Sequence, residues 1–182
     1  MRLPRLLSAL LIASLSLPAF AADTCDFYAY ANDPDPAGAN VRSGPSTSYP
    51  VIGVLKPTTM DSYTFGAEFH VDGFDKGWFK IGDASTGQYG DDTEEVVFRG
   101  PGWISAKLVG FEIEDINLLS APAHDAEPIV TLDGNWGLDT ARIETIHGCE
   151  GRFLHVSLAN GTGSVATGWV GDLCGSQVTT CP

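Results

Sequence analysis

Between Tyr63 and Val71 the chain alternates: Tyr63, Phe65, Ala67, Phe69 and Val71 are interleaved with Thr64, Gly66, Glu68 and His70. A period of two puts the apolar set on one face of an extended chain, which predicts a strand with one buried side. Asp72-Gly73 offers a turn dipeptide to end that run, and Trp78 to Ile81 reads as the returning strand. Val96-Val97-Phe98 and Trp103-Ile104 follow, separated by the turn residues Arg99-Gly100-Pro101-Gly102. Farther along, Ile129 to Leu132, Arg142 to Ile146, Phe153 to Leu158 and Trp169-Val170 read as strands too. Helical spacing is nearly absent. With 21 glycines and 11 prolines as punctuation, the expectation is an all-β chain of small barrels.

The pattern also repeats. Asn117-Leu118-Leu119-Ser120-Ala121-Pro122 lies under Asn40-Val41-Arg42-Ser43-Gly44-Pro45 without gaps, and Ile129 to Leu132 lies under Ile52 to Leu55. Phe153-Leu154-His155-Val156 answers Trp78-Phe79-Lys80-Ile81, and Gly168-Trp169-Val170 answers Gly102-Trp103-Ile104. Matched segments in one order predict two copies of a module of roughly 70–80 residues. The expected layout is a signal over residues 1–22, a first barrel over 23–110 and a second, divergent barrel over 111–182. An acidic, glycine-rich loop from Gly82 to Glu95 is expected inside the first. The short connection from Gly110 to Asp115 suggests that the two pack together.

Asn40 to Ser46, followed by the apolar run Val51 to Leu55, resembles the opening signature of bacterial SH3-like (SH3b) domains. Gly102-Trp103-Ile104 resembles the G-W-[VI] element near their end. The likeness spans roughly Asp23 to Gly175, strong in the first copy and degraded in the second. It implies two tandem small SH3-like β-barrels and recognition of cell-wall (peptidoglycan) peptides or cell-envelope proteins. Leu119 stands where the first copy has Arg42, and Ala121 where it has Gly44, which alters charge and available turn geometry. No A-L-Y-D-Y stretch occurs, so recognition of proline-rich peptides is not implied.

Arg2 and Arg5 flank an apolar run from Leu6 to Leu17, and Ala19-Phe20-Ala21 fits a cleavage site. This predicts a secretory signal cut before Ala22 or Asp23 and a periplasmic or secreted mature chain. The run falls short of the roughly 20 apolar residues of a membrane span, so no membrane insertion is expected. The whole sequence has 10 basic and 23 acidic residues, a net charge of −13; losing Arg2 and Arg5 leaves 8 basic residues and a net of −15. Such a surface disfavours nucleic acid, whose phosphates need clustered Lys and Arg. The 4 cysteines of an exported chain read as two disulfides. Of the three pairings, Cys149–Cys174 is favoured by its flanking strands, with Cys25–Cys181 tying the chain ends.

No catalytic constellation assembles. His70 and His155 fall in predicted strands, and no H-E-x-x-H, G-x-S-x-G or phosphate-binding glycine loop is present in context. Asp33-Pro34-Asp35 and Asp91 to Glu95 supply oxygen ligands without calcium-loop spacing, so no metal or cofactor is expected. The chain therefore reads as a binding protein and not an enzyme. Small barrels bind through aromatic-lined surfaces, because flat rings give large contact at low entropy cost. The candidates are Tyr49, Trp78, Trp103 and Trp136, with Arg42 and Ser43 as polar handles. Trp78 and Trp103 weigh more heavily as core residues; Tyr49 and Trp136, in predicted loops, are the better exposed candidates.

Overall fold

The computed structural model describes residues 23–60, 62–86, 95–137 and 140–177; the expected signal over 1–22, residues 87–94 of the acidic loop, and Cys181 lie outside them. Every regular element described is a strand, apart from two single turns of 3-10 helix at Ala106–Leu108 and Gly134–Trp136. The first half contains β1 (Phe27–Ala31), β2 (Ala39–Arg42), β3 (Val51–Leu55), β4 (Thr58–Met60) and β5 (Tyr63–Phe65). It continues with β6 (Glu68–Asp75), β7 (Trp78–Thr86), β8 (Glu95–Phe98), β9 (Gly102–Ser105) and β10 (Val109–Gly110). The second contains β11 (Glu112–Ile113), β12 (Asn117–Leu119), β13 (Pro128–Thr131), β14 (Arg142–Glu150), β15 (Phe153–Ala159), β16 (Val165–Val170) and β17 (Leu173–Cys174).

The larger sheet runs β10-β1-β6-β7-β9-β2-β3, with β8 also on β7; the second runs β13-β12-β16-β15-β14. Small pairs β4-β5 and β11-β17 complete the set. The architecture is all-β and antiparallel, but no closed barrel forms among the described strands. The first sheet ends at β3 and β10, the second at β13 and β14. Where β3 meets β8 the contact is by side chains: the Phe98 ring sits over Gly53, 2.6 Å from where a Cβ would be.

Alternation explains the interior. In β7 Phe79 and Ile81 are fully buried, as are Ile104 in β9 and Val41 in β2, while Trp78, Lys80, Trp103 and Arg42 between them turn the other way. Leu118, Leu154, Val156 and Val170 are the matching buried set of the second sheet. Burying each such side chain contributes about 1.5–3 kcal/mol. The buried residues of both halves, with Ile113 and Leu173 between them, form a single cluster.

Several expectations change. β6 does not stop at Asp72-Gly73 but runs on to Asp75, with register shifts at Phe69/Val71 and Val71/Gly73. The glycine sits in a bulge, and the reversal comes at Lys76-Gly77, both at positive φ (49° and 83°), the backbone a two-residue hairpin requires. β7 likewise extends to Thr86 and β8 begins at Glu95, so Gly82 to Thr86 and Glu95 of the expected loop are strand. Cys25 is bonded to Cys149, with Cα atoms 5.3 Å apart, so neither Cys149–Cys174 nor Cys25–Cys181 is the pairing. The reason lies in tertiary structure. Cys25 bridges to Gly151 beside the β14–β15 hairpin, next to Cys149 and far from it in sequence. Cys174 is disulfide-bonded as well.

Candidate functional site

The strands β7, β9 and β2 are neighbours, and their outward residues form a cross-strand row. Lys80 stands opposite Trp103, and Trp103 opposite Arg42; in the next row Trp78 faces Ser105. Trp78 and Trp103 are half-buried on this outer face, not in the core as their strand positions suggested. Lys80 Nζ lies 3.1 and 3.2 Å from the two carboxylate oxygens of Asp72, which fixes its ammonium over the sheet. One patch therefore offers two indole surfaces and two cations, one of them paired.

The loop after β2 borders this patch. Ser43 N–H donates to Pro50 O at 3.0 Å, Ser46 N–H to Gly44 O at 2.9 Å, and Tyr49 N–H to Ser46 O at 3.2 Å. Arg42 Nη1 donates to the carbonyls of Thr47 (3.1 Å) and Tyr49 (2.8 Å), so this side chain clamps the loop as well as facing the patch. The Tyr49 ring covers Gly44, where a Cβ would come within 2.6 Å of ring carbons. Tyr49 still exposes 45 % of its surface. Ser43 is exposed at the loop's start. Arg42, Trp103 and Trp78 thus stand in neighbouring rows of one outer face, while Ser43 and Tyr49 lie in the loop that follows β2. Trp136 belongs to neither: it lies in the second half and packs against the core cluster, because the 3-10 turn at Gly134–Trp136 folds its ring inward.

The second half reproduces the frame with other chemistry. Ser120 N–H donates to Glu127 O, Ala123 N–H to Ala121 O, and Ala126 N–H to Ala123 O, the three loop bonds of the first half at equivalent positions. The cross-strand row is Leu119, Trp169 and His155. Trp169 stacks on His155 with ring centres 4.7 Å apart and planes 16° apart, and His147 lies 5.0 Å beyond. His147 Nε2 is 2.7 Å from Ser157 Oγ, which is 2.7 Å from Thr167 Oγ1. Burial, and secondarily the neighbouring His147, holds the His155 pKa below the usual imidazole range. This ladder escaped the sequence reading, although the alignment of His155 with Lys80 and of Trp169 with Trp103 was its signal. Among the described residues no group of three or more His, Cys, Asp or Glu is placed to hold a metal ion.

Residues 37–110 match the family model described as bacterial SH3 domain. The match covers β2 to β10, the strands that carry the outer-face patch and the clamped loop. No curated protein and no solved structure matches the chain.

Proposed function

We propose, from a chain whose residues 37–110 match the bacterial SH3 domain, an exported and non-enzymatic binding protein that recognises cell-wall peptides or envelope proteins. The observation that carries this reading is the patch of Trp78, Trp103, Lys80 and Arg42 beside the loop Arg42 pins in place. Half-buried indoles next to fixed cations suit a peptide bearing carboxylates, since ring surface supplies contact and the cations supply orientation. The second half, with the same order of five strands and the same loop bonds, is in this proposal a divergent copy of the first. Having Leu119, Trp169 and His155 in its row, it does not bind the same ligand.

The test is sedimentation of the purified chain with peptidoglycan sacculi. Retention at moderate salt is expected, with Trp103→Ala weakening it about tenfold, the scale of a truncated aromatic anchor. Absence of retention at both low and moderate salt would sink the wall-binding version. A second reading has its own support: Val51, Ile52 and Val54 on β3, with Val96 and Val97 on β8, are all exposed at about 40–50 %. On an acidic protein, such an edge suits an accessory subunit docking on an envelope protein with a basic surface. That reading predicts a co-purifying partner whose binding weakens steeply with salt and no retention by peptidoglycan.

A further inference from the structure

A second recessed site lies where the two halves meet. A cavity of about 420 Å³ is walled by Tyr28 of β1, Glu114 after β11, Arg152 at the β14–β15 turn and Asp172, and floored by Leu173 to Ser176. Its charged walls are built from fixed backbone. Asp26 N–H donates to Gly151 O at 2.7 Å, and Gly151 N–H donates to Thr24 O at 2.9 Å, which pins the turn that carries Arg152. Glu114 N–H donates to Asp172 O at 3.1 Å, coupling the two acidic positions. Asp172 holds a φ of 45°, in the left-handed region that aspartate enters more readily than most side chains. Tyr28 exposes 65 % of its surface, and its ring is braced edge-on by His70 at 5.2 Å.

The charges are not spent on one another. Arg152 makes no hydrogen bond or ion pair among the described residues, and Glu114 makes no ion pair either. Asp172 has only His124 Nδ1, at 3.9 Å. A simple anion approaching Arg152 meets the two carboxylates, and a simple cation approaching them meets the guanidinium. A ligand bearing both charges satisfies each side. We infer that this cavity binds a zwitterionic ligand, a free amino acid or a peptide's C-terminal residue with a cationic side chain, with its carboxylate on Arg152 and its ammonium between Glu114 and Asp172. The Tyr28 ring would cover the ligand's ammonium side or apolar body. This site lies outside the family match and does not depend on the outer-face patch.

The experiment is a titration of the full mature chain followed by NMR shifts of residues 28, 114, 152 and 172–176. The probes are free lysine, the tripeptide Gly-Ala-Lys, and the same tripeptide amidated at its C-terminus. Saturable shifts confined to the cavity are expected for lysine or the tripeptide. Response to lysine alone indicates a free amino acid site, response to the tripeptide alone a peptide-end site, and response to both a site that reads the terminal residue's two charges in either setting. Amidation and Arg152→Gln are each expected to weaken binding at least about tenfold, since each removes one charge-assisted pair. Arg152 is exposed, so the variant's amide spectrum elsewhere should be unchanged. Equal binding of the amidated probe, unaltered binding by Arg152→Gln, or no cavity shifts with any probe would each overturn the inference. Peptidoglycan sedimentation of Arg152→Gln separates the two proposals: retention unchanged leaves the outer-face reading standing whatever happens here.

Discussion

Arg42 has two duties that pull toward opposite experimental outcomes. Its guanidinium faces the patch, yet Nη1 is committed to the carbonyls of Thr47 and Tyr49. Arg42→Ala should therefore lower unfolding free energy by about 1–3 kcal/mol, the worth of hydrogen bonds from a charged donor, before any effect on ligand. Urea denaturation checks this, and a binding loss in that variant must be read against the stability loss. The neighbouring contact gives a cleaner test. Gly44→Ala drives a methyl into the Tyr49 ring and should destabilise the chain; Gly44→Ala with Tyr49→Ala should cost less than the two singles added. The coupling expected for touching residues is about 0.5–3 kcal/mol. Strict additivity in the double-mutant cycle would show that the ring, not the backbone turn, is irrelevant to the glycine. In the second half, the loop with the corresponding three backbone bonds has Ala121 and Ala126 at the matching offsets, so that bond pattern forms without a glycine or a tyrosine there.

Strands were legible where one face is apolar and the other polar, as in Glu68 to Val71. The single strand expected from Tyr63 is two, however: Tyr63–Phe65 is β5, paired with β4 in a separate sheet, and Tyr63 is exposed. Strands were misjudged where local signals compete with pairing. Asp72-Gly73 looks like a turn, but β7 pairs past it and the ladder absorbs the glycine as a bulge. Trp78-Phe79-Lys80-Ile81 offers apolar residues on both faces, so alternation alone does not say which face is inside; the neighbouring strand decides, and it buries Phe79 and Ile81. The half-buried tryptophan pair on the outer face, and with it the patch, follows from that choice. In the second half the same parity builds the His147–His155–Trp169 ladder. The fold keeps His155 neutral more strongly than an unfolded chain does, so the unfolded state binds more protons just below the usual imidazole value of about 6.5. That contribution to stability is undiminished above the unfolded value and is lost as pH falls toward the lower folded value. Denaturant midpoints between pH 7.5 and 5.5 should fall in the native chain and fall less in His155→Phe, which keeps a ring in the ladder and removes the titration. Parallel curves for the two would refute the assignment.

At the scale of the molecule, the two halves are knit by more than their short linker. β17 pairs with β11, and Gln177 accepts from Gly66 N–H at 2.7 Å and donates to Gly66 O at 2.9 Å, carrying the chain end back onto the first half. The Cys25–Cys149 bridge closes a span of 124 residues. That link could not be read from the sequence. Spacing favours bridges between neighbouring strands, whereas this one joins the segment before β1 to the hairpin at the far end of β14. A loop of that length restricts the unfolded chain strongly, worth about 4–5 kcal/mol on the chain-entropy account. Replacing both partners, Cys25→Ser with Cys149→Ser, also puts hydroxyls at two buried positions, so the loss should be at least of that size. Guanidinium denaturation of the double variant against the native chain measures it, and Cys25→Ala with Cys149→Ala isolates the cross-link from the polar burden. A midpoint for the alanine pair within error of the native value would mean that the shared core and the Gln177 clasp alone hold the halves. A lower midpoint with two separate transitions would mean that the bridge makes them unfold as one unit. The expected result is a single transition at lower denaturant, because the buried cluster runs unbroken through both halves and the bridge adds to a cooperativity that the core already enforces.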